Sequence, residues 1–87
     1  MEIKKSAFAG TMESSDAYIE VFPTNSGITI ELESIVEKQF GESIRRTVLS
    51  VLNELGVQNA GVRISDRGAL ECVIRARVET AVLRGKE

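Results

Sequence analysis

The chain has 87 residues, enough for one domain, and 43% of them are hydrophobic, which is too many for a disordered protein. Its 11 basic and 13 acidic residues give a net charge of -2 without a basic stripe, and aromatic residues make up only 5%, so no nucleic-acid partner is expected. There is no histidine, the commonest general base and metal ligand, and the single cysteine excludes an internal disulfide.

The first part of the chain predicts a β-hairpin. Residues 6–13 alternate roughly with period two and place Phe8 and Met12 on one face of a first strand. The polar turn Ser14-Ser15-Asp16 follows, and residues 17–22 alternate again as a second strand. Two strands joined by a few polar residues are typical of a hairpin.

A third strand and a helix come next. Residues 28–33 alternate strictly, which predicts a strand with one apolar face. Ser34 and Glu37 have the spacing of a capping box, which predicts the start of a helix. Apolar residues then recur every three or four positions as far as Leu55. Gly41 interrupts this pattern, so we expect the regular part of the helix to begin after it.

The last third of the chain predicts one strand and one helix. Residues 62–65 alternate as a short fourth strand, residues 66–68 form a turn, and residues 70–83 repeat at helical spacing. Residues 85–87 are expected to fray. The element order β-β-β-α-β-α predicts a single α+β domain over residues 1–87, a two-layer sandwich with a mostly antiparallel sheet and both helices on one face. The strand order stays open.

Few residues are candidates for catalysis. Cys72 has no histidine to activate it and lies beside the apolar stripe of the second helix, so we interpret it as a half-buried filler. Glu31 and Glu33 share the outer face of a strand, which is typical of a solvated face. No glycine-rich phosphate loop is present. Apolar runs are short and no signal-peptide pattern precedes the first strand, so we expect a cytoplasmic protein without a membrane role.

The hairpin turn is the remaining candidate site. A hairpin tip exposes its side chains, so a serine hydroxyl there could carry a bulky phosphate-linked group without disturbing the core. The flanking carboxylates of Glu13 and Asp16 would help a partner find the site by charge complementarity. Serine and aspartate are also ordinary turn residues, and the turn chemistry alone favours an unmodified turn.

Three segments resemble one known family. Residues 10–16, Gly-Thr-Met-Glu-Ser-Ser-Asp, are similar to the Gly-Thr-Leu-Glu-Ser-x-Asp segment of citrate lyase acyl carrier proteins, also called gamma chains. Residues 36–42, Val-Glu-Lys-Gln-Phe-Gly-Glu, resemble the family's Val-Glu-Lys-Gln-Phe-Gly-Asp segment. Residues 68–72 and 75–77 resemble its Gly-Ala-Leu-Asp-Cys and Arg-Ala-Arg segments. The segments follow in the family's order and together cover nearly the whole chain. One departure is Ser15, where many members have glycine.

The resemblance implies a carrier and not an enzyme. In the family, the serine that matches Ser14 bears a covalently bound 2'-(5''-phosphoribosyl)-3'-dephospho-CoA arm through a phosphodiester, and the arm's thiol holds acetyl and citryl groups. The implied partners are the citrate lyase alpha subunit, an acyl transferase, and the beta subunit, which cleaves the citryl thioester to oxaloacetate. Holo-carrier synthesis and acetylating enzymes are also implied. Alignment with the family favours Ser14, whereas residue chemistry alone leaves Ser14 and Ser15 both open. Cys72, which matches the family's cysteine, would then serve packing, since the arm supplies the thiol.

An alternative hypothesis is a small α+β protein-interaction module without a prosthetic group, because fold does not determine function. Other carrier domains fit less well. Phosphopantetheine carriers place their serine in an Asp-Ser-Leu motif of a helical bundle, and lipoyl or biotinyl domains use a lysine at the hairpin tip. This chain has neither feature. Covalent modification separates the two hypotheses, since a pure interaction module keeps its polypeptide mass.

Overall fold

The computed structural model describes the backbone of residues 1–87 and the side chains of residues 1–36 and 38–87. The elements follow in the order β-β-β-α-β-α, which confirms the predicted α+β fold class. The strands are β1 (Ala7–Gly10), β2 (Ala17–Phe22), β3 (Ile28–Ser34) and β4 (Ala60–Asp66), and the helices are α1 (Glu37–Glu54) and α2 (Glu71–Gly85). Within the described part of the chain, neither helix is long and apolar enough to cross a membrane.

The four strands form one mixed sheet in the order β1-β2-β4-β3. β1 pairs antiparallel with β2, which confirms the predicted hairpin, and β2 pairs antiparallel with β4. β3 and β4 are parallel because α1 crosses over between them. The sheet is therefore mostly antiparallel, as predicted, and β4 lies between β2 and β3.

The hydrophobic core fills the space between one face of the sheet and the two helices. Register places Ile19 of β2 opposite Ile64 of β4 and Val21 opposite Val62, and all four side chains are at most 2% exposed. Burial of each such side chain contributes about 1.5–3 kcal/mol. The helices cover these residues with Ile44, Val48, Val51 and Leu52 from α1 and Ile74, Val78, Ala81 and Val82 from α2.

The start of α1 differs from the prediction in two ways. The helix begins at Glu37 and continues through Gly41, which is buried, so burial of the helix face outweighs the propensity cost of about 1 kcal/mol for glycine. The N-cap is Val36, and it has no side-chain cap hydrogen bond. Ser34 ends β3 instead. Its hydroxyl accepts from the Val36 N–H at 3.0 Å and donates to Asp66 Oδ2 at 2.8 Å, so the predicted capping box is wrong.

β1 is shorter than predicted and faces the other way. Its inward residues are Ala7 and Ala9, which leave room for α2, while Phe8 lies on the outer face and stacks on Tyr18 at a ring-centroid distance of 5.7 Å. Met12 lies beyond the strand and is exposed. The predicted apolar face of Phe8 and Met12 is therefore not a core face.

The C-terminal end of α2 is held in place. Gly85, which we expected to fray, is the last residue of the helix and is buried. Its carbonyl accepts hydrogen bonds from the Lys4 N–H at 2.8 Å and the Lys5 N–H at 3.2 Å. The N-terminal segment thus satisfies a carbonyl that a free helix end would leave to water.

Candidate modification site

The tip of the β1–β2 hairpin lies at one end of the sheet. We define the tip as residues 11–16. Ser14 is exposed there, and no hydrogen bond described for residues 1–36 and 38–87 involves its hydroxyl. An exposed hydroxyl with free solvent around it has room for a phosphodiester substituent, so the residues present fit the covalent arm that the sequence resemblance implies.

The backbone of the tip is fixed against the turn that follows β4. Ser15 donates its N–H to the Arg67 carbonyl at 2.8 Å, and Arg67 donates its N–H to the Asp16 carbonyl at 2.9 Å. These two hydrogen bonds continue the β2–β4 pairing past the strand ends. Ser15 adopts a φ of 64°, in the left-handed region that favours glycine. The tip is therefore held in one geometry in spite of its exposure.

Asp16 ties the tip to α2. Its carboxylate accepts the Thr11 hydroxyl at 2.6 Å, the Ala17 N–H at 2.7 Å, and Arg77 Nε and Nη2 at 3.0 and 2.9 Å. The Arg77 hydrogen bonds, followed by those from Thr11 and Ala17, hold the pKa of Asp16 well below its usual range. Its side chain is only 14% exposed.

This geometry corrects part of the predicted charged surface. Asp16 is engaged internally, so it does not present a free charge beside Ser14. Glu13 remains exposed at the tip. Sequence reasoning missed the role of Arg77, although a charged residue on the apolar stripe of a helix is a signal that a buried or half-buried partner exists.

An apolar groove opens beside the tip. We define the groove as the cavity of about 360 Å³ between the start of α1 and the segment that leads into α2. Two of its lining residues, Asp66 and Gly68, flank Arg67, so the groove begins where the tip is anchored. Its lining residues are Val36, Phe40, Ser43, Ile44, Thr47, Asp66, Gly68, Ala69, Leu70, Glu71 and Ile74.

The groove combines exposed apolar side chains with a fixed floor. Phe40 is 52% exposed and Leu70 is 71% exposed. Asp66 is buried, and its carboxylate accepts the Ser34 hydroxyl at 2.8 Å and the Ala69 N–H at 3.0 Å. These bonds join the end of β3 to the segment before α2. No sequence pattern predicted this groove, because its walls come from separate elements.

The other residues considered from the sequence do not form a reactive site. Cys72 is exposed in the first turn of α2, so its interpretation as a half-buried filler is wrong. Glu31 lies on the outer face of the sheet and pairs with Arg63 Nε at 2.9 Å, as expected of a solvated face. Within residues 1–36 and 38–87 there is no cluster of carboxylate and cysteine side chains that could hold a metal ion.

Comparisons with known proteins find relatives along nearly the whole chain. Residues 4–85 match a family model described as ACP, malonate decarboxylase delta subunit (MdcD). The citrate lyase acyl carrier protein of Escherichia fergusonii is 53% identical over 88 residues, covering 100% of this chain and 91% of that protein. The citrate lyase acyl carrier protein of Halothermothrix orenii is 51% identical over 87 residues, covering 100% and 93%.

A solved structure has the same fold. A chain in the crystal structure of a Pseudomonas malonate decarboxylase hetero-tetramer in complex with malonate superimposes with a TM-score of 0.78. The match covers 97% of this chain and 91% of that chain at 18% sequence identity. Identity this low supports the fold alone.

Proposed function

Because this chain belongs to the family of citrate lyase acyl carrier proteins, we propose that it carries a phosphoribosyl-dephospho-CoA arm on Ser14 through a phosphodiester. The carriers of this family are non-catalytic subunits, which confirms the prediction that the chain is not itself an enzyme. The arm supplies a thiol that holds acetyl and citryl groups while citrate is cleaved to oxaloacetate and acetate.

The observation that supports Ser14 most directly is its free, exposed hydroxyl on a rigid tip. The Ser15 and Asp16 backbones on its C-terminal side are bonded to Arg67, and the Asp16 carboxylate is bonded to Arg77. A group attached at Ser14 would start from a constant position on the molecule, and its attachment would displace no core residue. Tethering of this kind raises the effective concentration of the carried group at each partner's active site.

The backbone also favours Ser14 over Ser15. Ser15 has a left-handed backbone, and the resemblance places glycine there in many members of the family. A position at which glycine serves equally well does not need to supply a hydroxyl. Ser14 is outside the left-handed region, so its hydroxyl is the one we assign to the phosphodiester.

The proposed partners follow from the carrier role. They are the alpha and beta subunits of citrate lyase and the enzymes that attach and acetylate the arm, all in the cytoplasm. A carrier needs a surface that several enzymes can approach in turn, and the exposed tip at one end of the sheet is such a surface.

Intact mass tests the assignment. The chain is produced together with the enzymes that make and attach the arm, and its peptides are mapped by mass spectrometry. We expect the mass of one phosphoribosyl-dephospho-CoA group on the peptide that contains Ser14, lost in Ser14→Ala and kept in the matched variant Ser15→Ala. An adduct that is lost only in Ser15→Ala would show that the arm is attached to Ser15 and not to Ser14. An unmodified wild-type chain would favour the interaction module instead.

A further inference from the structure

The groove beside the tip suggests a second role for this chain toward its arm. We propose that the groove binds the adenine base of the arm carried on Ser14, and so fixes the direction in which the rest of the arm leaves the protein. This inference rests on the proposed function, because a CoA-derived arm is what brings an adenine base to the tip.

Position is the first argument. Ser15, the neighbour of Ser14, is hydrogen-bonded to Arg67 at 2.8 Å. Arg67 stands between Asp66 and Gly68, which both line the groove. The residue next to the attachment point is therefore bonded to the segment that lines the groove. In the proposed arm only the phosphate and sugars separate the serine oxygen from the base.

The chemistry of the lining is the second argument. Most of the groove surface is apolar, and it includes the exposed faces of Phe40 and Leu70. Aromatic side chains stack on bases without needing a particular sequence of hydrogen bonds. Thr47, which is 8% exposed, donates its hydroxyl to the Ser43 carbonyl at 3.0 Å, so its oxygen keeps lone pairs for the exocyclic amino group of adenine.

Charge and size decide which part of the arm enters. The carboxylates of Asp66 and Glu71 line the groove, so phosphate groups are repelled from it while a neutral base is not. Arg67, which is exposed and lies in sequence between the lining residues Asp66 and Gly68, adds a positive charge that would favour the phosphates outside. A volume of about 360 Å³ is near the lower end of ligand pockets, about 300–1,000 Å³, and suits one ring system better than the whole arm.

Holding the base would leave the thiol end free. In a CoA derivative the thiol lies beyond the diphosphate, at the far end of the arm from the phosphodiester. A base bound in the groove would shorten the freely moving part of the arm and define its pivot. The effective concentration at a partner's active site depends on that length, so the groove would tune delivery without touching the reacting thioester.

The test uses the loaded chain and a readout other than activity. Isotope-labelled protein carrying the unlabelled arm is studied by NMR, and we expect nuclear Overhauser contacts from the adenine ring protons to Phe40 and Leu70. Loading should shift the groove resonances relative to the unmodified chain. Phe40→Ala should abolish the contacts to the base and at least halve the remaining shifts, while the conservative Phe40→Leu should keep part of them.

The matched control is Phe8→Ala, which removes another phenyl ring about as exposed, on the outer face of the sheet. It should leave the base contacts unchanged. Intact mass on the same samples reports loading separately. A loaded chain without base contacts overturns this inference and leaves the proposed function standing, whereas a chain that is never loaded overturns both. Groove shifts that appear only with a partner subunit, or only at high concentration of the unmodified chain, would assign the groove to that partner or to a second copy.

Discussion

Gly10 shows how closely the residues of the tip are packed. It ends β1 with a φ of 95°, a conformation that residues with a side chain rarely adopt. A Cβ at this position would collide with the carbonyl oxygen of Ala17 and come within 3.2 Å of Arg77 Cδ. Ala17 is paired with Asp66 of β4, so its backbone cannot retreat without loss of that pairing. Both the conformation and the lack of space therefore require glycine.

The substitution Gly10→Ala should lower the free energy of unfolding by about 2–5 kcal/mol. This sum combines about 1–2 kcal/mol for the left-handed backbone with about 1–3 kcal/mol for steric overlap. Gly27→Ala is the matched control, because Gly27 has a φ of 92° but no atom within 4 Å of the added Cβ. It should show the backbone cost alone. Urea unfolding of both variants measures the difference, and equal losses would contradict the packing argument.

Ser15 carries a conformational cost that glycine would remove. Its φ of 64° costs about 1–2 kcal/mol in a residue with a side chain. Part of this gain is offset, by about 0.5–1 kcal/mol, because glycine increases the conformational entropy of the unfolded chain. Ser15→Gly should therefore stabilise the protein by up to about 1.5 kcal/mol, whereas Ser14→Gly, outside the left-handed region, should destabilise it slightly. Thermal and urea unfolding compare the two, and a destabilised Ser15→Gly would show that the serine side chain stabilises the tip.

The alternation of residue types predicted correctly which side chains lie on the same face of an element. It was less successful at predicting which of the two faces is buried. The alternation around β1 is correct, but Phe8 points outward because Ala7 and Ala9 are the residues small enough to lie beneath α2. The prediction that Cys72 is half-buried was wrong for a similar reason. It lies two positions before Ile74, the first buried residue of α2, and a helix rotates about 100° per residue, so Cys72 faces away from the buried stripe.

At the scale of elements, one ion pair joins the tip of the hairpin to α2. Asp16 and Arg77 are 61 residues apart and are joined by two hydrogen bonds. Because these bonds require the ionised carboxylate, they lower the pKa of Asp16 in the folded state. The unfolded chain keeps the ordinary value of about 3.9. As pH falls, the unfolded state therefore binds the proton first.

This difference predicts a pH-dependent contribution to stability. The stabilisation by Asp16 should be complete above about pH 5 and should decline as pH falls below about 4. Asp16→Asn removes it, so the gap in unfolding free energy between the wild type and the variant should be widest near pH 7 and should narrow toward pH 3. Urea titrations at several pH values measure this gap. Arg77→Met should remove most of the same pH dependence, and a gap that stays constant with pH would rule out the ion pair as its source.

Element types and their order were predictable because strands and helices have different hydrophobic periods. The strand order was not. The insertion of β4 between β2 and β3 depends on where the crossover through α1 returns, and only the packed core decides that. The length of β4 was also underestimated, since Gly61 and Asp66 pair with both β2 and β3, and Ala60 pairs with β3. The same pairing holds Ser34 in β3 and so removes the capping box that its spacing predicted.

At the scale of the whole molecule, the two ends of the sheet have different chemistry. The structure measures 30 × 21 × 18 Å, with the tip and the groove at one end. At the other end the amino group of Met1 donates to the Gly56 carbonyl at 2.9 Å, beside a polar hollow that includes Glu2 and Asn59. The turn at Ser14 could be proposed from the sequence because it is local. The groove could not, because its walls meet only after the chain has folded.

Because the tip lies at one end of the sheet, surface charges near that end should affect binding of partners more than charges at the opposite end. Glu13 is the exposed carboxylate at the tip next to Ser14, whereas Glu2 is an exposed carboxylate at the opposite end. Glu13→Lys and Glu2→Lys change the net charge equally. If partners approach the tip by charge complementarity, Glu13→Lys should slow attachment of the arm several-fold at low salt and less at high salt, and Glu2→Lys should not.

Initial rates of loading, followed by intact mass at low and high salt, measure this effect, and circular dichroism checks that both variants stay folded. Glu13→Lys is cleaner than a double reversal with Asp16, because the Asp16 carboxylate holds Arg77 and its loss would loosen the tip as well. Equal slowing in both variants would mean that overall charge guides the encounter. Unchanged rates in both would mean that shape and the backbone of the tip, and not Glu13, are what the attaching enzyme recognises.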